Sequence, residues 1–354
     1  MLLEGLQLPL TTPFYPDGRL NLPKLEHNAA RYSKTLVAGL VALSDSGEPT
    51  MLSEEETRQA LRSVADAAAT EKVLMAGVSR DSVAGTLDLA ETAAKLGYDA
   101  VLVKQPSIFS AGVRGKRVRE LLTYFQAVGD RSALPVVLYS PAAEPGGLLP
   151  IEVVIELAGH PQIIGLVDGA GRRERIEALR EERARVKREV TVTAVFAAVT
   201  GRMQARDDRA AGGLIGADTL TGGGAALAVA PTKAAAKTRT KAVGFQVLAG
   251  DTTGMLEALR AGGVGAMPAF AASAPQSCYE VLAAWKDGDE GLAQEKQVRL
   301  QRVAEKVEEE LGVAGIKFGC DLNGYFGGQP RLPLLPLTGE ERTKIEALMQ
   351  GLRH

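Results

Sequence analysis

Cysteine and histidine are both scarce in this sequence of 354 residues. The two cysteines, Cys278 and Cys320, lie far apart, and neither belongs to a pattern of metal-ligand spacing. The three histidines, His27, His160 and His354, are scattered, and none forms a metal-ligand pair. We therefore expect neither a disulfide framework nor a zinc site, and no metal or other cofactor.

Long apolar runs and an excess of one charge are also missing. No run approaches the roughly 20 residues that a membrane-spanning helix needs. The first residues, MLLEGLQLPL, have no basic start and contain Glu4 and Pro9, which is unlike a signal peptide. With 45% apolar residues, 24% charged residues and a net charge of −2, the composition is typical of a soluble globular protein. We expect a cytoplasmic protein that binds neither membranes nor nucleic acid.

Eight short apolar runs recur along the chain, with amphipathic segments between them. Each run is nearly continuous in apolar residues, which is typical of strands buried on both faces of a parallel sheet. The runs are GLQLPL (5–10), AGLVALS (38–44), KVLMAGV (72–78), DAVLVKQ (99–105), LPVVLYS (134–140), QIIGLVD (162–168), GFQVLAG (244–250) and GVGAMPA (263–269). Eight strand-then-helix units predict an α/β fold, the (β/α)8 TIM barrel, whose chemistry belongs at the C-terminal strand ends.

The spacing of these runs breaks after the sixth. The seventh begins only at 244, so we predict a long insertion between strands six and seven, at about 190–243. The insertion begins with a charged helix, RRERIEALREERARVKRE (172–189), and its main part at about 190–243 contains GGLIGADTLTGGG, which lacks the context of a dinucleotide or phosphate loop. The barrel should span 1–275 around the insertion, and a helical region should follow at 276–354. The insertion would change the assembly of the protein or cover the mouth of the barrel.

Seven segments, in this order on the inferred barrel, resemble the dihydrodipicolinate synthase and N-acetylneuraminate lyase family of class I aldolase-type barrels. They are TTPFYPDGRL (11–20), SDSGEPTMLSEEE (44–56), MAGVSRDS (75–82), LPVVLYSP (134–141), HPQIIGLVDGAG (160–171), LAGD (248–251) and RLPLLPLTGEE (331–341). The similarity covers nearly the whole chain outside roughly 172–243. Barrels of this family generally form homotetramers, so the resemblance implies a homo-oligomer, a tetramer or a dimer.

The mechanism that the resemblance implies needs a lysine on strand six. There the lysine forms a Schiff base with a 2-keto acid such as pyruvate, and a tyrosine on strand five moves protons. The tyrosine is present as Tyr139, but Val167 stands at the position of the lysine, and no lysine occurs between Lys116 and Lys187. We therefore interpret the chain as a divergent member in which an isopropyl group replaces the amine.

Other departures from the family pattern make ordinary dihydrodipicolinate synthesis improbable. The G-T-T-G-E loop, whose hydroxyls hold the substrate carboxylate in the family, is Ser-Asp-Ser-Gly-Glu at 44–48. Asp45 places a negative charge where that carboxylate would lie. Ser107 and Ile108 stand in place of a pair of tyrosines, and the arginine that follows the strand-five tyrosine in the synthases is missing from AAEPGG (142–147).

Lys104 is the only lysine at the C-terminal end of a predicted strand. It could be a relocated Schiff-base amine, as in transaldolases, which use a lysine on strand four. Alternatively it points outward between helices or pairs with an acid such as Asp45. The sequence does not show whether Lys104 lies on the inward or the outward face of its strand, so both alternatives remain open.

The remaining site residues are assigned from their positions at strand ends. Asp45, Ser46, Gly250 and Met267 are predicted to bind substrate. Glu48 is interpreted as structural, with its carboxylate capping backbone N–H groups. Asp168 should face away from Val167 and form an ordinary salt bridge.

Three functions remain open. The first is a lyase or aldolase acting on a small 2-keto acid or related carbonyl compound, with Tyr139 as proton shuttle and Lys104 as catalytic nucleophile, if there is one. The second is an inactive family member that binds a small metabolite or a partner protein. The third is metal-assisted aldol chemistry through carboxylates such as Asp45 and Glu48, although no convergence of ligands is visible in the sequence.

Overall fold

The structure is a computed structural model, and it describes residues 1–109, 117–142, 147–211 and 238–352. In these ranges the strands are Gly5–Pro9 (β1), Gly39–Ala42 (β2), Val73–Gly77 (β3), Ala100–Lys104 (β4), Val136–Ser140 (β5), Ile163–Asp168 (β6), Arg188–Thr193 (β7), Thr238–Val243 (β8), Gln246–Ala249 (β9) and Gly265–Ala266 (β10). Eight of them are parallel and close into a barrel in the order β1, β2, β3, β4, β5, β6, β9, β10, and β10 returns to β1. Each barrel strand lies within one of the eight apolar runs, and the expected TIM barrel is confirmed.

Helices follow the strands, and most of them cover the outside of the barrel. They are Leu22–Tyr32 (α1), Glu54–Ala67 (α2), Val83–Lys95 (α3), Arg117–Arg131 (α4), Ile151–Ala158 (α5), Arg173–Ala178 (α6), Arg180–Arg185 (α7), Gly201–Ala211 (α8) and Met255–Arg260 (α9). The C-terminal helices are Pro275–Lys286 (α10), Glu290–Ala304 (α11), Gly312–Leu322 (α12) and Gly339–Met349 (α13), and a π-helix at Glu305–Glu310 joins α11 to α12. Among the described residues, no helix is long and apolar enough to cross a membrane.

Alternate residues of each strand point into the barrel, as the pleat requires. The inward set forms a separate apolar cluster that includes Val41, Met75, Leu102, Val137 and Val167. The outward set packs against the helices in the larger core. This parity decides which strand-end side chains reach the mouth.

The insertion contributes an antiparallel hairpin of β7 and β8, and α8 lies between these two strands in the sequence. Polar side chains tie these elements to the N-terminal ends of the barrel strands. Lys241 pairs with Glu4 just before β1, and Arg202 donates to the carbonyls of Ala68, Ala69 and Lys72 just before β3.

Arg188 makes the same kind of contact around the start of β6, where it donates to the carbonyls of Ala158, His160 and Ile163. The described parts of the insertion therefore close the face opposite the mouth, so for them the expectation of a cover over the mouth was wrong. The charged helix that we placed in the insertion forms α6 and α7, the helical layer of the sixth barrel unit. The Gly-rich tract GGLIGADTLTGGG lies outside the described residues.

Candidate active site

Three residues stand side by side where β4, β5 and β6 end. Tyr139 is the register partner of Lys104 on one side and of Val167 on the other. Leu102 and Val137, two residues earlier on their strands, belong to the inward apolar cluster. Because side chains alternate along a strand, Lys104 and Tyr139 face the interior of the barrel as well.

Lys104 is held by the loop that follows β2. Its Nζ lies 2.8 Å from Oδ1 of Asp45, with both side chains only partly exposed. Its backbone N–H donates to Oγ of Ser79, which follows β3. The lysine therefore combines the two positions that we left open, because it points inward and also pairs with Asp45.

A cleft of about 410 Å³ lies above this pair, at the C-terminal ends of β2 to β5. The polar residues that line it include Asp45, Glu54, Ser79, Arg80, Asp81, Lys104, Ser107 and Tyr139. Carboxylates, cations, hydroxyls and a phenol thus surround a space of the size expected for a small metabolite.

The other predicted substrate residues lie beside the cleft rather than in its wall. Ser46 is buried in a short 3-10 helix, and Met267 belongs to the inward apolar cluster with Val167. The N–H of Gly250 donates to the carbonyl of Asp168, and a Cβ at this glycine would lie 2.8 Å from Cγ1 of Val167. Of the four residues, the structure places Asp45 in the lining of this cleft.

Two backbone distortions shape the loop that carries Asp45. Leu43 and Glu48 have φ values of 59° and 53°, in the left-handed region that non-glycine residues seldom adopt. Thr12 donates to the carbonyl of Gly47 between them, over 2.6 Å. The loop is therefore built to a fixed shape, with the carboxylate of Asp45 directed at Lys104.

Glu48 belongs to the same loop but its carboxylate is directed at the C-terminal helices. Its Oε1 lies 2.6 Å from Nζ of Lys317 on α12, and its Oε2 accepts the backbone N–H of Arg331. Burial lowers the pKa of Lys317, and the charge of Glu48 opposes that shift. Sequence reasoning identified the backbone contact of Glu48 but missed Lys317, whose only signal is a lysine amid the apolar stretch GVAGIKFG (312–319).

Arg80 and Asp81 were not predicted as site residues, although they stand in the segment MAGVSRDS. Nε of Arg80 lies 2.9 Å from Oε1 of Glu54, and this hydrogen bond lowers the pKa of Glu54. Asp81 accepts both the backbone N–H and the hydroxyl of Ser107. These residues form the outer wall of the cleft.

Asp168 occupies the outer face of β6, where its Oδ1 lies 2.6 Å from Nε of Arg175. Burial raises the pKa of Asp168, and the nearby charge of Arg175 opposes that shift.

In the described part of the chain, no group of three or more histidine, cysteine, aspartate or glutamate side chains is placed to hold a metal ion.

Comparison with known proteins assigns the chain to one family. The model of the dihydrodipicolinate synthetase family matches residues 2–192 and 227–352. An L-threo-3-deoxy-hexylosonate aldolase from Hypocrea jecorina is 26% identical over 358 residues, which cover 99% of this chain and 95% of that protein. A 4-hydroxy-tetrahydrodipicolinate synthase from Xanthomonas axonopodis pv. citri (strain 306) is 35% identical over 179 residues, 51% of this chain and 58% of that protein.

Solved structures share the fold over the whole length. A dihydrodipicolinate synthase from Bacillus anthracis has a TM-score of 0.76 and 20% identity, with 100% of both chains covered. A prophage protein of the dihydrodipicolinic acid synthase family from E. coli K12, in complex with pyruvate, has a TM-score of 0.73 and 23% identity, with 99% of both chains covered. Since the family model matches both halves of the barrel and the C-terminal helices, the chain belongs to the dihydrodipicolinate synthetase family.

Proposed function

We propose that the protein is a lyase or aldolase that acts on a small 2-keto acid or related carbonyl compound, with Lys104 as the amine that forms the imine. The observation that carries this proposal is the inward position of Lys104, paired with Asp45 and lining the same cleft as Tyr139. Val167, at the place where the family pattern has its lysine, has no group that could attack a carbonyl.

The side chains of Lys104, Asp45 and Tyr139 support the following steps. Asp45 accepts a proton from the ammonium of Lys104, and the neutral amine adds to the carbonyl carbon of the substrate. One proton of the added amine moves to the carbonyl oxygen and Tyr139 donates a second, so that this oxygen leaves as water and the protonated imine remains. Tyr139 regains its proton from Asp45 or from solvent. The imine then draws electrons from the adjacent carbon, which permits a carbon–carbon bond there to form or break.

The relatives support the same class of reaction. The protein from Hypocrea jecorina is named as an aldolase, and a 4-hydroxy-tetrahydrodipicolinate synthase from Acidiphilium cryptum is 25% identical over 351 residues, 99% of each chain. For this chain we propose only the formation or cleavage of a carbon–carbon bond through an imine. Asp45, and the lack of the arginine that follows the strand-five tyrosine in the synthases, argue against ordinary dihydrodipicolinate synthesis.

Reduction of the imine tests the proposal directly. The protein is incubated with pyruvate and borohydride, weighed intact and mapped by peptide mass. A stable adduct on Lys104 is the expected result, and Lys104→Arg, which keeps the charge next to Asp45 but forms no imine, should give none. Lys95→Arg, at an exposed lysine of α3, serves as the matched control. An adduct on another lysine, Lys317 included, would overturn the assignment.

A second candidate is a metabolite-binding protein without catalysis. The ion pair with Asp45 favours it, because a carboxylate at 2.8 Å stabilises the ammonium, which is not nucleophilic. In that case pyruvate should raise the melting temperature without a reducible adduct. Loss of activity in a chelator would instead support metal-assisted chemistry.

We also propose that the protein is cytoplasmic and assembles as a homotetramer or homodimer. The family resemblance supports the assembly, and the scarcity of cysteine supports a reducing compartment. Sedimentation equilibrium of the intact chain measures the number of subunits, and a monomer would contradict the proposal.

A further inference from the structure

A cavity of about 380 Å³ lies on the face of the barrel opposite the mouth. Its inner wall is formed by the start of β1 and by the segments that lead into β2 and β3, and its outer walls are α10 and the turn at 193–198 that follows β7. The family model leaves residues 193–226 unmatched, so this turn belongs to the insertion. The cavity is therefore built partly from a segment outside the family pattern, and its size suits a small molecule.

Apolar side chains make up most of the lining. Leu2 and Leu6 are buried in the inner wall. Three large apolar side chains that also line the cavity, Leu36, Val195 and Phe196, are 60%, 82% and 50% exposed. A group of exposed apolar side chains around a cavity is typical of a binding surface.

The turn holds Phe196 in a backbone conformation that costs free energy. Its φ is 60°, in the left-handed region, where a bulky residue is rare. Thr193 fixes the turn, because its carbonyl accepts the N–H of Phe196 and its Oγ1 accepts the N–H of Ala197. Strain that is maintained in this way is typical of functional sites. The turn thus presents an aromatic ring to the cavity where the backbone would favour glycine.

Lys72 contributes a partly buried ammonium to the lining. Its Nζ donates to the main-chain carbonyls of Thr35 and Val37, over 2.9 and 2.8 Å. An ammonium has three donors, so one remains for a ligand. Burial lowers the pKa of Lys72, and the charge of Glu71 opposes that shift. An anion that enters the cavity would therefore stabilise the charge of this lysine.

The other charges of the cavity also favour an anion. The carboxylates in the lining are those of Glu4 and Glu71, and Glu4 is paired with Lys241. Lys72 and Lys286 are the cations of the lining. Together with Lys241, three ammonium groups stand against two carboxylates, so the surplus charge is positive.

These features select a ligand with an apolar body and one anionic group. A polyhydroxylated body would lose its hydration against apolar walls without new hydrogen bonds. A neutral hydrocarbon would leave the third donor of Lys72 without a partner. A carboxylate offers that donor a charge-assisted hydrogen bond, and an alkyl chain removes the exposed apolar side chains from water.

We propose that this cavity is a second ligand site, which binds an aliphatic monocarboxylate with its carboxylate at Lys72 and its alkyl chain against the turn at 193–198. The site lies apart from the cleft that contains Lys104, and it does not depend on the proposed function.

Octanoate is the probe, and 1-octanol and acetate are its matched controls because each keeps one half of it. In calorimetric titrations of the intact protein, we expect octanoate to bind at least about tenfold more tightly than either control. Equal binding of 1-octanol would refute recognition of the carboxylate, and equal binding of acetate would refute the role of the apolar wall. No binding of octanoate would overturn the whole proposal.

Two variants locate the site. Phe196→Gly removes the ring and suits a φ of 60°, so the fold should be kept while the affinity for octanoate falls at least about fivefold. Lys72→Gln removes the charge, keeps a donor for one carbonyl, and should lower the affinity about tenfold.

The controls for these variants are Val298→Ser on α11 and Lys95→Gln on α3, at an exposed apolar and an exposed charged position. Both should leave the affinity for octanoate unchanged. If Phe196→Gly binds octanoate as wild type does, the ligand lies elsewhere and the proposal is wrong. This outcome decides the question even if Lys72→Gln fails to fold.

Discussion

Nζ of Lys317 lies 2.6 Å from Oε1 of Glu48, and both side chains are closed to solvent. The pair joins α12 to the loop after β2, the same loop that presents Asp45 to the cleft. Lys317 also donates to the carbonyl of Gln329 over 2.9 Å, so each charge has a second polar contact. The C-terminal helices are therefore coupled to the active-site loop through a buried ion pair.

Breaking this pair from one side should be costly. We expect Lys317→Met or Glu48→Gln to lower the free energy of unfolding by about 3–5 kcal/mol, because each leaves a buried partner without its counter-charge. The double variant should lose less than the sum of the two. Urea denaturation of the four proteins completes the cycle, and additive losses would show that the two charges do not interact.

A lysine placed at 167 should form an imine with pyruvate. Val167 is buried, faces the interior and is in register with Tyr139, so an amine there would extend toward the cleft. In the Lys104→Arg background, we expect Val167→Lys to give a pyruvate adduct that borohydride reduces, with the mass change mapped to position 167. Val167→Arg in the same background is the control and should give no adduct. If the lysine variant gives no adduct, the side chain at position 167 does not reach the cleft.

Adding one methyl group at Gly250 should destabilise the mouth of the barrel. The new Cβ would lie 2.8 Å from Cγ1 of Val167 and 3.0 Å from the carbonyl carbon of Asp168, so β6 and β9 would have to separate. We expect Gly250→Ala to cost about 1–3 kcal/mol of unfolding free energy. Val167→Ala should restore part of the loss, because it removes the contact with Cγ1 and leaves the backbone contact.

A matched glycine provides the control for this experiment. Gly339, at the start of α13, has no neighbour within 4 Å of the position that an added methyl group would take. Gly339→Ala should therefore leave the urea midpoint nearly unchanged. Equal effects of the two substitutions would contradict the steric explanation.

Glu308 should make the stability of the protein depend on pH near neutrality. Its Oε2 accepts from the hydroxyl of Thr252 and from the backbone N–H of Phe270, which follow β9 and β10. Burial raises its pKa from 4.5 to about 7, and the charges of Asp251 and Glu309 act in the same direction. The folded state therefore binds the proton more tightly than the unfolded state does.

The sign of the effect follows from that difference. The contribution of protonated Glu308 is complete below the unfolded pKa of 4.5 and is lost as the pH rises through about 7. Glu308→Gln cannot ionise, so we expect it to be more stable than wild type at about pH 8 and nearly equal to it at about pH 4. Urea midpoints at the two pH values measure this, and a stability difference that is the same at both would exclude Glu308 as the group responsible.

The sequence alone was sufficient for the barrel and for the positions of its strands. Each apolar run from GLQLPL to GVGAMPA contains a strand, because strands buried on both faces must be apolar throughout. The position of Tyr139 at the end of β5 followed from the same pattern. The insertion after the sixth strand could also be placed from the sequence, because the break in the spacing of the apolar runs is visible without coordinates.

What the sequence could not decide was the direction of single side chains and the meeting of distant segments. Lys104 faces inward because its register with Tyr139 fixes its parity, and register depends on the pairing of strands that lie far apart along the chain. Lys317 meets Glu48 across 269 positions of sequence, a contact that no local pattern encodes. Apolar periodicity determines which segments become strands, whereas the active site is made by packing between segments, and only the closed barrel brings those together.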